Sequence, residues 1–229
     1  MNFLHSRFLL LSSVLAATVP NLAAGSLEAT FAKMDRAASM FSGVTADLRR
    51  LNHMALLNED TAETGTFRMK RTKRDVRVLF DIKQPEPKAY SFDGKKLEEY
   101  LPAEQTVQEY DAGKYKSLAD QFLLLGFGTT SKELQAEYTI SLGGSERIAN
   151  EQTTRLELIP KSKELILHLP KVDLWISDQT GVPVQQKFYS PGGNYNLATY
   201  SNIMLNPNLP DSAVRLDLPK GVTRQHPLK

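Results

Sequence analysis

The apolar positions near the start of the chain recur with the period of a helix. Ser26 is a favourable N-cap, and the apolar residues after it are spaced alternately by four and three residues. This spacing places one apolar stripe along about four helical turns. We therefore predict an N-terminal helix that packs on the rest of the protein through Leu27, Phe31, Met34, Ala38 and Phe41.

After Gly43 the apolar period changes to two, which is typical of strands with one buried face. Strand-like segments then recur about every ten residues, separated by turn residues, as in a barrel or sandwich. The pattern therefore predicts a single mainly β domain. Its strands are predicted at residues 44–49, 64–72, 75–82, 89–92, 96–101, 106–110, 138–142, 154–159, 164–169, 172–177, 183–190, 196–204 and 215–218.

One very apolar segment, residues 118–127, interrupts the strands. Its apolar residues recur at helical spacing, and Gly126 and Gly128 lie at its end. A helix of about two turns is marginal alone, so this segment must pack on the sheet, and the glycines permit it to move. The residues that would make this contact are Leu118, Phe122, Leu125 and Phe127.

The first 24 residues resemble a secretory signal peptide. Arg7 precedes an apolar run that is too short to span a bilayer, and small residues follow at Ala23 and Ala24. Residues 25–229 are then expected to form one domain outside the cytoplasm. We find no other stretch in the sequence that could span a membrane.

The composition and motifs of the chain argue against several classes of function. The formal net charge of +2 over 229 residues is too small to indicate a nucleic-acid partner. The absence of cysteine excludes disulfides, thiol nucleophiles and lipid attachment at an N-terminal cysteine. The four histidines have no metal-ligand spacing, and no nucleotide or hydrolase motif is present. We therefore expect no metal, no cofactor and no enzymatic activity, although carboxylates could still converge in the fold.

Arg71 is a charged residue on an otherwise apolar face of its predicted strand. It alternates in step with Phe67 and Met69, and a buried guanidinium needs acceptors. Two interpretations remain open: Arg71 extends to water at the strand end, or it bonds a neighbouring segment.

Several motifs in order resemble the periplasmic lipoprotein localisation carrier family. Residues 65–71 are similar to that family's strand ending in Lys-Arg-Pro, and residues 91–100 to its Ser-Asp-Gly-Lys hairpin. Residues 172–183, 194–202 and 219–222 resemble its later strand pair and closing elements. The likeness covers almost the whole mature chain. Thr72 departs from it, because proline usually follows the arginine.

The resemblance implies an incomplete antiparallel β-barrel, or half-barrel, with an N-terminal helix and a short helical lid over an apolar cavity. It implies that Arg71 latches the lid of the empty protein. The candidate lid residues are Leu118, Phe122, Leu125 and Phe127. The candidate cavity wall consists of Phe67, Met69, Val78, Phe80, Tyr90 and Phe92, each of which could instead be ordinary core.

Three functional hypotheses follow. The first is a monomeric carrier of acylated lipoprotein or lipid cargo, with an inner-membrane export transporter and an outer-membrane acceptor as partners implied by the resemblance. The second is a ligand-sensing or protein-interaction domain of the same fold that regulates envelope stress. The third is an enzyme, which converging carboxylates in a polar cleft would signal.

Overall fold

The computed structural model describes residues 26–73, 75–111 and 125–227. The predicted signal peptide and the lid residues Leu118 and Phe122 lie outside this range. The N-terminal helix is confirmed as α1, Leu27–Met40, with the Ser26 side chain accepting a hydrogen bond from the Ala29 amide.

Six strands follow the helix, each close to its predicted position. They pair in sequence, so the first half of the described chain is an antiparallel meander. The bounds are β1 Gly43–Met54, β2 Glu59–Arg71, β3 Val76–Gln84, β4 Lys88–Phe92, β5 Lys96–Leu101 and β6 Thr106–Asp111.

The second half begins with a short helix and continues with strands. Helix α2, Ser131–Glu137, was not predicted, although Thr130 and Glu133 form a complete capping box. The remaining elements are β7 Tyr138–Ile148, β8 Glu151–Pro160, β9 Lys171–Ser177, β10 Pro183–Tyr189, β11 Tyr195–Leu205 and β12 Thr223–Gln225.

All twelve strands belong to one open sheet in the order β12-β6-β5-β4-β3-β2-β1-β11-β10-β9-β8-β7. The pairing of β12 with β6 is parallel, and the other pairings are antiparallel. The predicted incomplete barrel with an N-terminal helix is therefore confirmed. We call the face that carries Phe67 and is covered by α1 the inner face, and the opposite face the outer face.

Two groups of buried side chains form the core. The aromatic cluster consists of Phe41, Val44, Ala46, Leu48, Phe67, Met69, Val78, Ile82, Phe92, Phe127, Val182, Ala198 and Tyr200. The aliphatic cluster consists of Met34, Leu125, Leu134, Tyr138, Leu156, Leu158, Leu165, Leu169, Val172, Leu174 and Ile176. Helix α1 contributes to both, which joins the two halves of the sheet.

Two predicted strands are wrong. Residues 164–169 form a 3-10 turn, Leu165–Leu167, because Leu165 and Leu169 bury themselves four residues apart. Residues 215–218 pair with no strand in the described structure, and the last strand is Thr223–Gln225. In addition, Gly143 and Gly144 do not end β7, since they form a bulge within it.

Candidate apolar binding site

The six predicted wall residues lie together on the inner face. Strand register aligns Phe67, Phe80 and Tyr90 in one row across β2, β3 and β4. It aligns Met69, Val78 and Phe92 in the next row. The side chains of Phe67, Met69, Val78 and Phe92 are fully buried, whereas Phe80 and Tyr90 are half-buried.

A pocket of about 180 Å³ opens beside the half-buried residues. Its lining is mainly apolar: Val78, Phe80, Tyr90, Phe92 and Leu97, with Arg50 and Ser91 as the polar members. Small-molecule sites usually enclose roughly 300–1,000 Å³. The pocket in this conformation is therefore too small for a long apolar ligand.

Residues 125–128 pack on the inner face next to the wall residues. They form a turn where helix was predicted for residues 125–127, and Gly126 and Gly128 have φ values of +86° and +70°. The Phe127 ring lies 5.3 Å from Phe67 and 5.2 Å from Tyr200, measured between centroids. Phe127 thus fills space between the wall residues and β11.

Arg71 contacts the same segment. Its Nη2 donates a hydrogen bond of 2.5 Å to the Gly128 carbonyl, and its guanidinium lies 5.5 Å from the centroid of the Phe41 ring. A Cβ atom at Gly128 would lie 2.5 Å from Phe41 Cδ1 and 2.7 Å from Arg71 Nη2. Glycine is therefore required for this close approach. Arg71 is otherwise exposed at the end of β2, and its role as a latch stays a prediction.

Thr72 uses a hydrogen bond that proline could not make. Its amide donates to the Asp75 carbonyl at 2.8 Å, and its hydroxyl accepts from the Asp75 amide at 2.9 Å. These bonds close the turn between β2 and β3 directly after Arg71. Thr72, which stands in the place of the motif's proline, therefore keeps the chain ordered directly after Arg71.

Gln186 and Tyr200 hold the other end of the segment, and neither was predicted. Gln186 Nε2 donates to the Leu125 carbonyl at 2.5 Å, and the Tyr200 hydroxyl donates to Gln186 Oε1 at 2.8 Å. Gln186 is 3% exposed, and burial raises the pKa of Tyr200 above its ordinary value. Val184, Gln186 and Phe188 share one face of β10, which places the Gln186 amide on the inner face. This alternation could have identified Gln186 in the sequence as a candidate site residue.

A charged group borders the pocket. Glu63 lies between two cations: its carboxylate accepts from Arg50 Nε at 2.7 Å and lies 2.6 Å from Lys88 Nζ. Burial alone would raise the pKa of Glu63, but the hydrogen bonds from Lys88 and Arg50 outweigh it and lower the pKa. Arg50 also lies 5.6 Å from the centroid of the Tyr90 ring. The polar edge is therefore internally paired.

The arrangement is suited to binding an apolar group, because apolar side chains form most of the pocket lining. Within the described ranges, no three His, Cys, Asp or Glu side chains are grouped so that they could hold a metal ion. No helix among the described residues is long and apolar enough to cross a membrane.

Comparison with known proteins identifies relatives by structure and not by sequence. No protein-family model matches the chain, and no curated protein matches it. An uncharacterized conserved protein from Thermus thermophilus is 11% identical, with a TM-score of 0.53 over 87% of this chain and 98% of its own. MucB is 13% identical, with a TM-score of 0.52 over 84% of this chain and 64% of its own.

A LolA superfamily protein from Nitrosomonas europaea is 15% identical, with a TM-score of 0.39 over 83% of this chain and 97% of its own. At these identities the likeness concerns the fold. The twelve-stranded open sheet, the helix on its inner face and the match to MucB agree with the resemblance found in the sequence. The chain therefore shares the fold of MucB and of the Thermus thermophilus protein, an open sheet with a helix on its inner face.

Proposed function

We propose that this protein is a periplasmic carrier that binds the acyl chains of a lipoprotein or lipid on the inner face of its sheet. One observation carries the proposal: residues 125–128 cover an apolar wall next to an open pocket, and hydrogen bonds from Arg71 and Gln186 hold them there. A cover with a few polar contacts can be displaced without unfolding the sheet.

Ligand and cover compete for the same surface. Phe127 occupies the space between Phe67 and Tyr200, and an acyl chain in that space would contact the same rings. Moving Phe127 away would extend the pocket beside Phe80 along the inner face. When residues 125–128 move away, the apolar surface of the wall is exposed, and the ligand then buries that surface again.

Competition between residues 125–128 and the ligand allows the protein to release its cargo. Burying one methylene group contributes about 0.8 kcal/mol, so three fully buried acyl chains would exceed any known non-covalent affinity. A carrier must also give up its cargo. A stable closed state lowers the net affinity, because binding must first break the contacts of residues 125–128.

The route and partners belong to the same proposal. The signal-like sequence at residues 1–24 directs the chain to the periplasm, where an inner-membrane export transporter would load it and an outer-membrane acceptor would unload it. No catalytic step is part of this function. The competing hypothesis is an interaction domain whose ligand is a protein.

Mass spectrometry of lipids that co-purify from the periplasm tests the proposal. Purified without detergent, the protein should carry acyl lipids. Leu97→Trp should lose most of them, because the larger side chain fills the pocket of about 180 Å³. Leu167→Trp is the matched control, because Leu167 is 67% exposed and lies in the 3-10 turn between β8 and β9.

Two results would contradict the proposal. A lipid-free protein that retains a stoichiometric protein partner would indicate the interaction domain instead. Equal lipid loading of Leu97→Trp and the wild type would place the lipid elsewhere.

A further inference from the structure

The chain after β11 crosses the outer face of the sheet. We call residues 206–222 the strap, because they run from the edge of β1 to β12. Lys70 Nζ donates to the Leu209 carbonyl at 2.7 Å near the start of the strap. At its end, Arg224 of β12 donates to Glu98 at 2.7 Å. The strap is thus fixed at both ends, on the face opposite the apolar wall.

A groove of about 780 Å³ separates part of the strap from the sheet. Its sheet side consists mainly of outer-face residues that alternate with the apolar wall, together with Ile82 and Lys88 of the inner face. Its other side consists of strap residues. The lining comprises Arg68, Leu79, Asp81, Ile82, Lys83, Pro87, Lys88, Ala89, Tyr100, Pro102, Ser212, Arg215, Leu216 and Asp217. The groove is therefore lined by both apolar and charged side chains.

The charges that line the groove are unbalanced. Four basic and two acidic side chains belong to it. Lys83 pairs with Asp81 at 2.8 Å, and Lys88 pairs with Glu63 at 2.6 Å. Arg68 makes only a 3.4 Å hydrogen bond to the Ala213 carbonyl, and in the described part of the chain neither Arg68 nor Arg215 has a carboxylate at salt-bridge distance. Two guanidinium groups are available to an anionic ligand.

The strap also offers backbone groups. In the described structure, no backbone hydrogen bond joins residues 216–222 to the sheet, and the next such bond is from the Thr223 amide to the Gln105 carbonyl. Backbone with free donors and acceptors can pair with an extended chain. This feature distinguishes the groove from a site for a single small anion.

We propose that the groove binds an extended acidic segment of a partner protein, with carboxylates on Arg68 and Arg215 and backbone pairing along residues 216–218. Guanidinium groups bind carboxylates through two parallel hydrogen bonds, which suits this role. Six charged side chains in the lining make the groove a poor site for an acyl chain, because burying them beside hydrocarbon is costly.

Fluorescence anisotropy with synthetic peptides tests this inference on the full mature chain. The probe is a labelled ten-residue peptide that alternates Glu and Val, and the matched peptide alternates Gln and Val. The Glu peptide should bind at least tenfold more tightly, and its affinity should fall as salt rises. The double variant Arg68→Gln/Arg215→Gln should lose at least tenfold in affinity.

The matched control is Arg36→Gln/Arg147→Gln, which removes the same charge from exposed positions outside the groove. Arg215→Gln alone serves if Arg68→Gln impairs folding, since Arg215 is exposed. Equal affinity for the two peptides, or equal losses in the two double variants, would overturn the inference. Competition by inorganic phosphate at equal concentration, or binding only to phosphatidylglycerol vesicles, would also overturn it in favour of a simple anion or a lipid surface.

Discussion

The two halves of the inner face are covered in different ways. In the aliphatic cluster, buried leucines of β8 and β9 are covered by α1, α2 and the turn at Leu165–Leu167. In the aromatic cluster, part of the cover is a four-residue turn with Phe127 at its centre. Half-exposed Phe80 and Tyr90 border that second region.

On the proposed function, the first region is a permanent core and the second is an exchangeable one. The aliphatic cover consists mainly of packed secondary structure, which cannot leave without loss of the fold. The cover of the aromatic cluster is held by discrete hydrogen bonds from Arg71 and Gln186. We infer that stability resides mainly in the first region and ligand binding in the second.

The largest effect should come from the permanent core. Leu174 is fully buried in β9, so Leu174→Ala should lower the free energy of unfolding by about 2–5 kcal/mol. Urea denaturation measures this loss. The affinity of the folded fraction for a fluorescent fatty acid should be unchanged. A large change in affinity with little loss of stability would break the distinction between the two regions.

A smaller effect on stability, but a clear effect on binding, is expected at Arg71. Its hydrogen bond to Gly128 exists only when the segment is closed, and charged hydrogen bonds contribute about 1.5–3 kcal/mol. Arg71→Leu should therefore bind the fluorescent fatty acid about tenfold more tightly and release it more slowly. Arg71→Lys should lie between, because an ammonium group lacks the planar fork.

Arg36→Leu is the control for this experiment, since Arg36 is exposed on α1. Unchanged affinity and dissociation rate in Arg71→Leu would show that the side chain is only a solvated strand end.

The smallest expected effect concerns the polar edge of the pocket. Glu63→Gln leaves Arg50 and Lys88 without their shared carboxylate and should lower the free energy of unfolding by about 1–3 kcal/mol at pH 7. The lowered pKa of Glu63 means that this contribution is present above its ordinary pKa of 4.5 and is lost as the pH falls through the folded value. Unfolding curves of the two proteins should therefore converge in acid. A difference that stays constant with pH would contradict the pairing.

Local patterns account for what could be predicted from the sequence. The Ser26 cap and the stripe through Met34 specify α1 without distant information, and alternation in β2 and β3 places Phe67 and Phe80 on one face. Residues 164–169 were assigned to the wrong element, because a short apolar run does not distinguish a strand from a helical turn. The capping box of Thr130 and Glu133 is a local sequence signal for α2.

The site was only partly predictable, because its polar contacts join residues far apart in the chain. Gln186 and Leu125 are separated by 61 positions, and Arg71 and Gly128 by 57. No local period specifies such pairs. The resemblance to a known family supplied the expectation for Arg71, but nothing in the sequence pointed to Leu125 as the partner of Gln186.

Hydrogen exchange at residues 125–130 tests the central claim most directly. The amides of this segment should exchange faster when a fatty acid is bound, because the ligand displaces Phe127 from Phe67 and Tyr200. Amides of β9, beneath the aliphatic cluster, should be unaffected and serve as the internal reference. Faster exchange confined to the segment is the result that the account predicts. Equal or slower exchange at residues 125–130 in the bound state would contradict competition between the segment and the ligand.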